Sequence, residues 1–202
     1  MTKKIRFPYI DDYSKEIGLS NEILEEAFYI ENYFHKLIVN EKSYVGREKL
    51  YKEFYNKLLS FYGRTGNNEN FDINISKKNK QVILFSAELK NKSIIDFGCG
   101  EGSFLMNIQK NIPYKKLQGI DIFISKSLKQ NKKIEFISSS IINFKTKKKF
   151  DVAFSDNVLE HLSVLDYEQH LKSVYNSLNP GGKFILILPN RLFGPCDITR
   201  II

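Results

Sequence analysis

Apolar residues recur at helical spacing through the first ninety residues of the chain. Three amphipathic helices are predicted there, over residues 21–37, 47–62 and 77–89. Ser20 stands at the N-cap position of the first, where its hydroxyl can accept a hydrogen bond from a free N–H group of the first turn. Residues 63–76 are rich in Gly, Asn and Ser and are typical of a connector. We therefore expect residues 1–90 to form an N-terminal helical cap.

Beyond residue 91, short apolar runs alternate with helix-compatible stretches. The predicted strands span residues 93–97, 117–121, 134–138, 150–155 and 183–188. The predicted helices between them span residues 103–111, 125–131, 157–162 and 166–178. Strands that alternate with helices make right-handed crossovers, which produce a parallel sheet covered on both faces. The predicted fold class is therefore α/β, with a doubly wound, mostly parallel sheet in residues 91–202.

The composition excludes several classes of protein. Of the 202 residues, 42% are apolar and 27% are charged, which argues against a disordered chain. The longest apolar run, residues 184–188, is far shorter than the roughly 18 residues of a membrane-spanning helix, and we expect no membrane partner. Two cysteines, Cys99 and Cys196, are too few for a disulfide framework or a four-thiolate zinc site. These features favour a reduced, cytoplasmic location.

The formal net charge of +8 is compatible with a nucleic-acid partner, because cations near phosphates release counterions. The lysines, however, stand in short runs at predicted loops and helix ends, at residues 77–80, 126–133 and 145–149. Such runs are more typical of a solvated surface than of a dedicated nucleic-acid stripe. Nucleic acid stays open as the less favoured partner.

The most specific local pattern is the glycine-rich loop after the first predicted strand. Asp96 ends the strand, Gly98, Gly100 and Gly102 follow at alternate positions, and a helix begins at Ser103. A dinucleotide-binding loop would need its third glycine at position 103, and a carboxylate at position 96 would face a pyrophosphate with the wrong sign. The same carboxylate suits a ligand that carries an ammonium group, as S-adenosylmethionine does.

Residues 96–102 resemble the D-x-G-x-G-x-G signature of the class I S-adenosylmethionine-dependent methyltransferases. Residues 119–121, 150–162 and 178–190 resemble the later motifs of the small-molecule branch of that family, in the same order, so the resemblance covers about residues 93–190. It implies a Rossmann-like fold, S-adenosyl-L-methionine as the cofactor, and methyl transfer to O, N or C of a small-molecule acceptor.

The resemblance also implies roles for individual positions. The expected cofactor-binding residues are Asp96, Phe97, Gly98, Cys99, Gly100, Asp121, Ile122, Ser140, Asp156 and Asn157. Those of the glycine loop would contact the methionine portion, Asp121 the ribose hydroxyls, and Ile122 the adenine. Ser140 stands where many relatives carry an acid that meets the adenine amino group, and residues 156 and 157 would line the pocket toward the methyl.

Catalytic residues are not assigned by the sequence, because a general base is needed only if the acceptor arrives protonated. His161 is a candidate base, with a packed or capping role as the favoured alternative. We expect His170 to be exposed on a polar helix, and no metal site, because no histidines and acids show metal-ligand spacing. Cys196 follows a proline, as does the nucleophile of cytosine C5 methyltransferases, but its flanking residues favour the small-molecule branch.

One departure from the family pattern concerns the end of the chain. The family's sheet has seven strands, whereas only 13 residues follow Pro189, so the C-terminal strands are expected to be missing. The fifth strand would then be an apolar edge, open to a partner, to self-association or to cover by the N-terminal helices, which would also form a lid over the pocket. Alternatives to a small-molecule enzyme are an RNA or DNA methyltransferase and a non-catalytic or truncated cofactor-binding subunit.

Overall fold

The computed structural model describes residues 10–17, 20–64 and 78–188, and these fall into two compact units. Residues 10–17 and 20–64 belong to the first unit and residues 78–188 to the second. The helices within residues 78–89, which the sequence grouped with the cap, belong to the unit that contains the sheet. No helix among the described residues is long and apolar enough to cross a membrane.

The described residues of the first unit form three helices: α1 (Ile10–Ile17), α2 (Asn21–Asn40) and α3 (Tyr44–Arg64). As predicted, Ser20 caps α2, and its hydroxyl accepts a hydrogen bond from Ile23 N at 3.4 Å. Phe34 and Phe54 join α2 to α3, with ring centroids 5.5 Å apart. The buried Arg47 donates from Nη1 to the carbonyl oxygens of Glu41 and Lys42, which fixes the turn between the two helices.

The second unit is a five-stranded parallel sheet with helices between its strands. Its elements are α4 (residues 78–84), α5 (Ser86–Leu89), β1 (Ser93–Phe97), α6 (Ser103–Asn111), β2 (Lys116–Asp121), α7 (Lys126–Lys129), β3 (Glu135–Ser138), β4 (Phe150–Asp156), a 3-10 helix (Leu159–His161), α8 (Val164–Ser177) and β5 (Leu178–Ile187). The strand order is β3-β2-β1-β4-β5, and every pair is parallel. The predicted doubly wound, Rossmann-like fold is confirmed.

Separate apolar clusters cover the two faces of this sheet. On one face, Phe104 of α6 stacks on Phe154 of β4, with ring centroids 3.7 Å apart. On the other face, Val174 of α8 packs with Ile95 and Phe97 of β1. The strands at the centre are buried on both faces, which is why they read in the sequence as short apolar runs.

The principal difference from the predicted elements lies in β5. The sequence places a turn before a strand at residues 183–188, whereas the structure assigns the strand from Leu178. Leu178 pairs with Phe150 and Lys183 pairs with Val152, so residues 179–182 form an irregular insertion in the ladder. Among the described residues β5 pairs with β4 alone and lies at the end of the sheet. Most of the predicted connector and Cys196 lie outside the described residues.

Candidate functional site

The candidate site lies where the strand order reverses. β1 has β2 on one side and β4 on the other, so successive crossovers leave in opposite directions and a crevice opens at the carboxyl ends of these strands. Three of the predicted residues stand at these ends: Asp96 on β1, Asp121 on β2 and Asp156 on β4. The fold therefore brings together three carboxylates that are far apart in sequence.

The glycine-rich loop after β1 is held against β2 by backbone hydrogen bonds. The N–H groups of Gly98 and Cys99 both donate to the carbonyl oxygen of Ile120, at 2.8 and 3.0 Å. Gly98, Gly100 and Gly102 all have positive φ, which favours glycine, and Gly102 is the N-cap of α6. A Cβ atom at Gly98 would lie 2.3 Å from Cγ2 of Val158, whereas one at Gly100 would meet no atom within 4 Å among the described residues.

Asp121 is held by backbone N–H groups on two sides. Its Oδ2 accepts from Gly100 N at 2.9 Å and its Oδ1 accepts from Phe123 N at 3.1 Å. Burial raises the pKa of this carboxyl, and the backbone hydrogen bonds oppose that rise. Each carboxylate oxygen has a second lone pair, so Asp121 can still accept two hydroxyl donors from a ligand.

Asp96 is 4% exposed. Burial raises its pKa to about 7, the nearby ammonium of Lys78 opposes that rise, and the charges of Asp156 and Asp121 add to it. Ionised Asp96 is therefore poorly stabilised by the chain itself. A cationic group in the crevice would provide the missing partner.

Two residues of this site were missed by the sequence reasoning: Lys78 and Gln81, both on α4. Lys78 forms an ion pair with Oδ2 of Asp156, and Nε2 of Gln81 donates to the same oxygen at 2.7 Å. Within the described part of the chain, Asp156 Oδ1 and Gln81 Oε1 are buried without a hydrogen-bond partner. A helical wheel that continued the buried face of Val82 and Leu89 toward the N-terminus would have indicated both residues.

The side chains of two other predicted residues point into the protein interior. Phe97 is fully buried, and its ring packs edge-to-face against Phe144 and His170, so only its backbone can meet a ligand. Cys99 is also buried, and its Sγ lies 2.8 Å from the position that a Cβ atom at Gly119 would take. Burial raises the pKa of the Cys99 thiol, which disfavours thiolate chemistry there.

The remaining predicted residues lie in the loops after β2, β3 and β4. Ile122 is partly buried, and its carbonyl oxygen accepts from Ser138 Oγ at 3.0 Å. The hydroxyl of Ser140 accepts from Ile142 N at 3.3 Å. Asn157 is exposed, has a φ of 55°, and donates from its backbone N to Ile187 O at 3.0 Å. All three loops leave the carboxyl edge of the sheet, the edge that carries the three aspartates.

The two histidines of this unit have different surroundings. His161 lies in the partly buried 3-10 helix after β4. The prediction that His170 is exposed was wrong: it is fully buried, and its Nδ1 lies 3.1 Å from Ile141 O. Burial lowers the pKa of His170, so its ring is neutral and serves packing. No group of three His, Cys, Asp or Glu side chains in the described residues is arranged to hold a metal ion.

Sequence comparison adds independent evidence. A family model described as a methyltransferase domain matches residues 71–197. The malonyl-[acyl-carrier protein] O-methyltransferase of Calditerrivibrio nitroreducens is 26% identical over 131 residues, which are 65% of this chain and 51% of that protein. The tRNA U34 carboxymethyltransferase of Sulfurimonas denitrificans is 33% identical over 107 residues, 48% of this chain and 35% of that protein. The chain thus spans about half or less of these relatives.

Structural comparison supports the fold. The phosphoethanolamine N-methyltransferase 1 of Haemonchus contortus, solved with phosphoethanolamine and S-adenosylhomocysteine, superposes with a TM-score of 0.55 at 16% identity. The alignment covers 69% of this chain and 32% of that one. At this level of identity the similarity concerns the fold alone.

Proposed function

The chain belongs to the class I S-adenosylmethionine-dependent methyltransferase family, and on that premise we propose that its sheet unit binds S-adenosylmethionine and transfers the methyl group to a small-molecule acceptor. The observation that carries the proposal is the row of aspartates along the carboxyl ends of β2, β1 and β4. A nucleoside ligand with hydroxyls at one end and positive charge at the other matches that row.

Each residue of the proposed site has a binding task that its surroundings support. Asp121 would accept the ribose hydroxyls, because its two oxygens are already oriented by Gly100 N and Phe123 N. Asp96 would receive the ammonium of the methionine portion, which compensates for the burial that raises its pKa to about 7. Gly100 would let the backbone approach the ligand, since the space beside its Cα is open.

The chemical contribution of the chain would be alignment. The bound cofactor supplies a methyl group that its sulfonium has already activated. The protein has to hold the acceptor in line with that methyl and exclude water, and such positioning can supply about 7–11 kcal/mol. Ile122 and Ser140, in the loops beside Asp121, are the residues proposed to receive the adenine, and Asp156 and Asn157 are proposed to line the acceptor side.

Calorimetric titration with S-adenosylhomocysteine tests the proposal. We expect the wild-type chain to bind this product and to show no binding of NADH. Asp121→Ala should weaken binding by about 100-fold or more, because charge-assisted hydrogen bonds to both ribose hydroxyls are lost.

The matched control is Asp151→Ala. Asp151 also accepts two hydrogen bonds, from Ser93 N and Asn179 Nδ2, but it lies at the start of β4, the opposite end of the strand from Asp156. The control should bind like wild type once thermal unfolding shows that both variants are folded. A folded wild-type chain that does not bind S-adenosylhomocysteine would remove the cofactor assignment.

Nucleic acid is the second candidate acceptor. The net charge of +8 and the similarity to a protein named as a tRNA carboxymethyltransferase favour it. A non-catalytic subunit is a third reading, which cofactor binding without turnover until a second chain is added would support. The proposal includes a cytoplasmic location, which two cysteines in 202 residues favour.

A further inference from the structure

Among the buried oxygens that have no hydrogen-bond partner within the part of the chain that the structure describes, two belong to one hydrogen-bonded group at the end of β4. They are Oδ1 of Asp156, whose side chain is 3% exposed, and Oε1 of Gln81, a residue that is 9% exposed. Buried acceptors are nearly always paired in folded proteins, because an unpaired one loses its hydration without compensation. A pair of them in one place indicates that a bound molecule supplies the donors.

The partners of Asp156 Oδ2 determine which oxygen is left for a ligand. Lys78 and Gln81 both donate to Oδ2, and both lie on α4, so the carboxylate is held from the side of that helix. Oδ1 is the oxygen that remains. The Gln81 amide donates through Nε2, which leaves its Oε1 as a second acceptor in the same hydrogen-bonded group. Lys78 is therefore a positioning residue for Asp156, whereas Gln81 both positions Asp156 and offers an acceptor of its own.

The donor groups of the proposed cofactor are assigned to other residues. Its ammonium is proposed for Asp96, its two ribose hydroxyls for Asp121, and its adenine amino group for the loops that carry Ile122 and Ser140. Asp156 ends β4, the strand next to β1 and on the far side of it from β2, and adjacent strands are about 4.8 Å apart. Asp156 thus lies one strand beyond the proposed ammonium site, close enough to Asp96 for its charge to act on that carboxyl.

Resting on the proposed function, we infer that the methyl acceptor is an amine whose N–H groups donate to Asp156 Oδ1 and Gln81 Oε1. An amine nitrogen with two hydrogens satisfies both oxygens, whereas a hydroxyl has one donor and satisfies only one. A carboxylate acceptor has no donor and would bring a second negative charge against Asp156. The donor requirement of this site therefore selects N-methylation. The lone pair of the neutral amine would form the new bond to the methyl carbon as the carbon–sulfur bond breaks, S-adenosylhomocysteine would leave, and the surplus proton of the methylated amine would pass to solvent.

The test uses two ligands that differ at the position of the methyl group. S-adenosylhomocysteine has a bare sulfur there, whereas sinefungin carries an amine in place of the methyl. We expect wild-type protein to bind sinefungin about tenfold or more tightly than S-adenosylhomocysteine. The reason is that the sinefungin amine gains a hydrogen bond to the charged side chain of Asp156. Asp156→Asn should abolish this preference, and the readout is the ratio of the two affinities, because the charge of Asp156 also acts on Asp96 and its loss alters the binding of both ligands.

The asparagine variant is informative because Lys78 and Gln81 would hold its oxygen on their side. The NH₂ group of the asparagine then takes the place of Oδ1, so a donor stands where the ligand amine needs an acceptor. Gln81→Met, which removes both amide atoms at similar size, should reduce the preference for sinefungin in part. Asp151→Asn, on the same strand but at its other end, should keep the wild-type preference.

The outcomes separate this inference from the proposed function. If wild-type protein binds S-adenosylhomocysteine but shows no preference for sinefungin, the inference is wrong and the proposed function stands. If Asp156→Asn weakens both ligands equally, Asp156 serves the cofactor's own ammonium and the inference is again wrong. If folded wild-type protein binds neither ligand, the proposed function fails and the inference fails with it.

Discussion

Gly98 and Gly100 lie two residues apart in the loop after β1, but their surroundings differ. Both have positive φ, at 78° and 50°. A Cβ atom on Gly98 would collide with Val158, whereas one on Gly100 would meet no atom of the described residues within 4 Å. Packing therefore requires a glycine at position 98, whereas at position 100 the described structure requires one only through the positive φ.

Alanine substitutions should separate these two roles. Gly98→Ala should lower the free energy of unfolding by about 2–4 kcal/mol, from the left-handed backbone and the overpacking against Val158. Gly100→Ala should cost only about 1–2 kcal/mol, from the backbone alone, but should weaken S-adenosylhomocysteine binding at least tenfold. Urea unfolding and calorimetry measure the two effects. Normal binding by Gly100→Ala would show that the ligand does not approach this residue.

At the scale of single residues, the sequence predicts the part of the site that local motifs encode. Asp96 and the alternating glycines form one contiguous pattern, and Asp121 ends the next strand, where the resemblance to the methyltransferase family implies an acidic residue. Lys78 and Gln81 belong to no such motif, because they reach Asp156 only through the packing of α4 against the sheet. Lys78 also stands in a run of lysines that is typical of a solvated surface.

Among the elements, α8 has the reverse of the usual helical pattern. Besides Val174, its buried face carries Asp166, His170, Ser173 and Ser177, whereas Val164, Leu165, Leu171 and Tyr175 are exposed. Local hydrogen bonds make this arrangement stable: Ser173 Oγ donates to Ile142 O at 2.6 Å, and the His170 ring pairs with Ile141 O. A hydrophobicity pattern cannot identify such a face, which is why the exposure of His170 was predicted wrongly.

Substitutions of apolar residues in α8 should therefore have effects that follow their burial rather than their hydrophobicity. Val174→Ala, on the buried face, should destabilise the protein by about 2 kcal/mol through lost packing. Tyr175→Gln and Leu171→Gln, on the exposed face, should change the free energy of unfolding by no more than about 0.5 kcal/mol. Urea unfolding of the three single variants measures this. A large loss in either glutamine variant would mean that another surface covers α8.

Burial explains why most strands could be predicted from the sequence, and a tertiary contact explains why the start of β5 could not. β1, β2 and β4 are largely buried on both faces, so apolar residues cluster in their sequences without a helical period. β5 begins with Leu178, Asn179 and Pro180, residues that indicate a turn. Its pairing there depends on Phe150 of the neighbouring strand, a tertiary contact that the local sequence does not contain.

At the scale of the whole molecule, the lysines behind the net charge of +8 stand in several separate runs along the sequence. Several lysines already have local partners: Lys148 pairs with Glu135, and Lys149 donates to Asn176 O at 2.6 Å. Lys78 is engaged with Asp156, and Lys116 lies over the ring of Phe150. Lysines that already have partners within the protein contribute little to binding the phosphate backbone of a nucleic acid.

Binding of tRNA should accordingly be weak and governed by charge alone. We expect any association measured by fluorescence anisotropy at about 50 mM salt to disappear by about 200 mM, as for non-specific binding. Unlabelled heparin should displace the labelled tRNA as effectively as unlabelled tRNA does, because non-specific binding recognises negative charge and neither the shape nor the sequence of the RNA. S-adenosylhomocysteine affinity should stay constant over the same range, since buried contacts are screened little. A tRNA dissociation constant below about 1 μM at 200 mM salt would instead make nucleic acid the acceptor and would contradict the small-amine assignment.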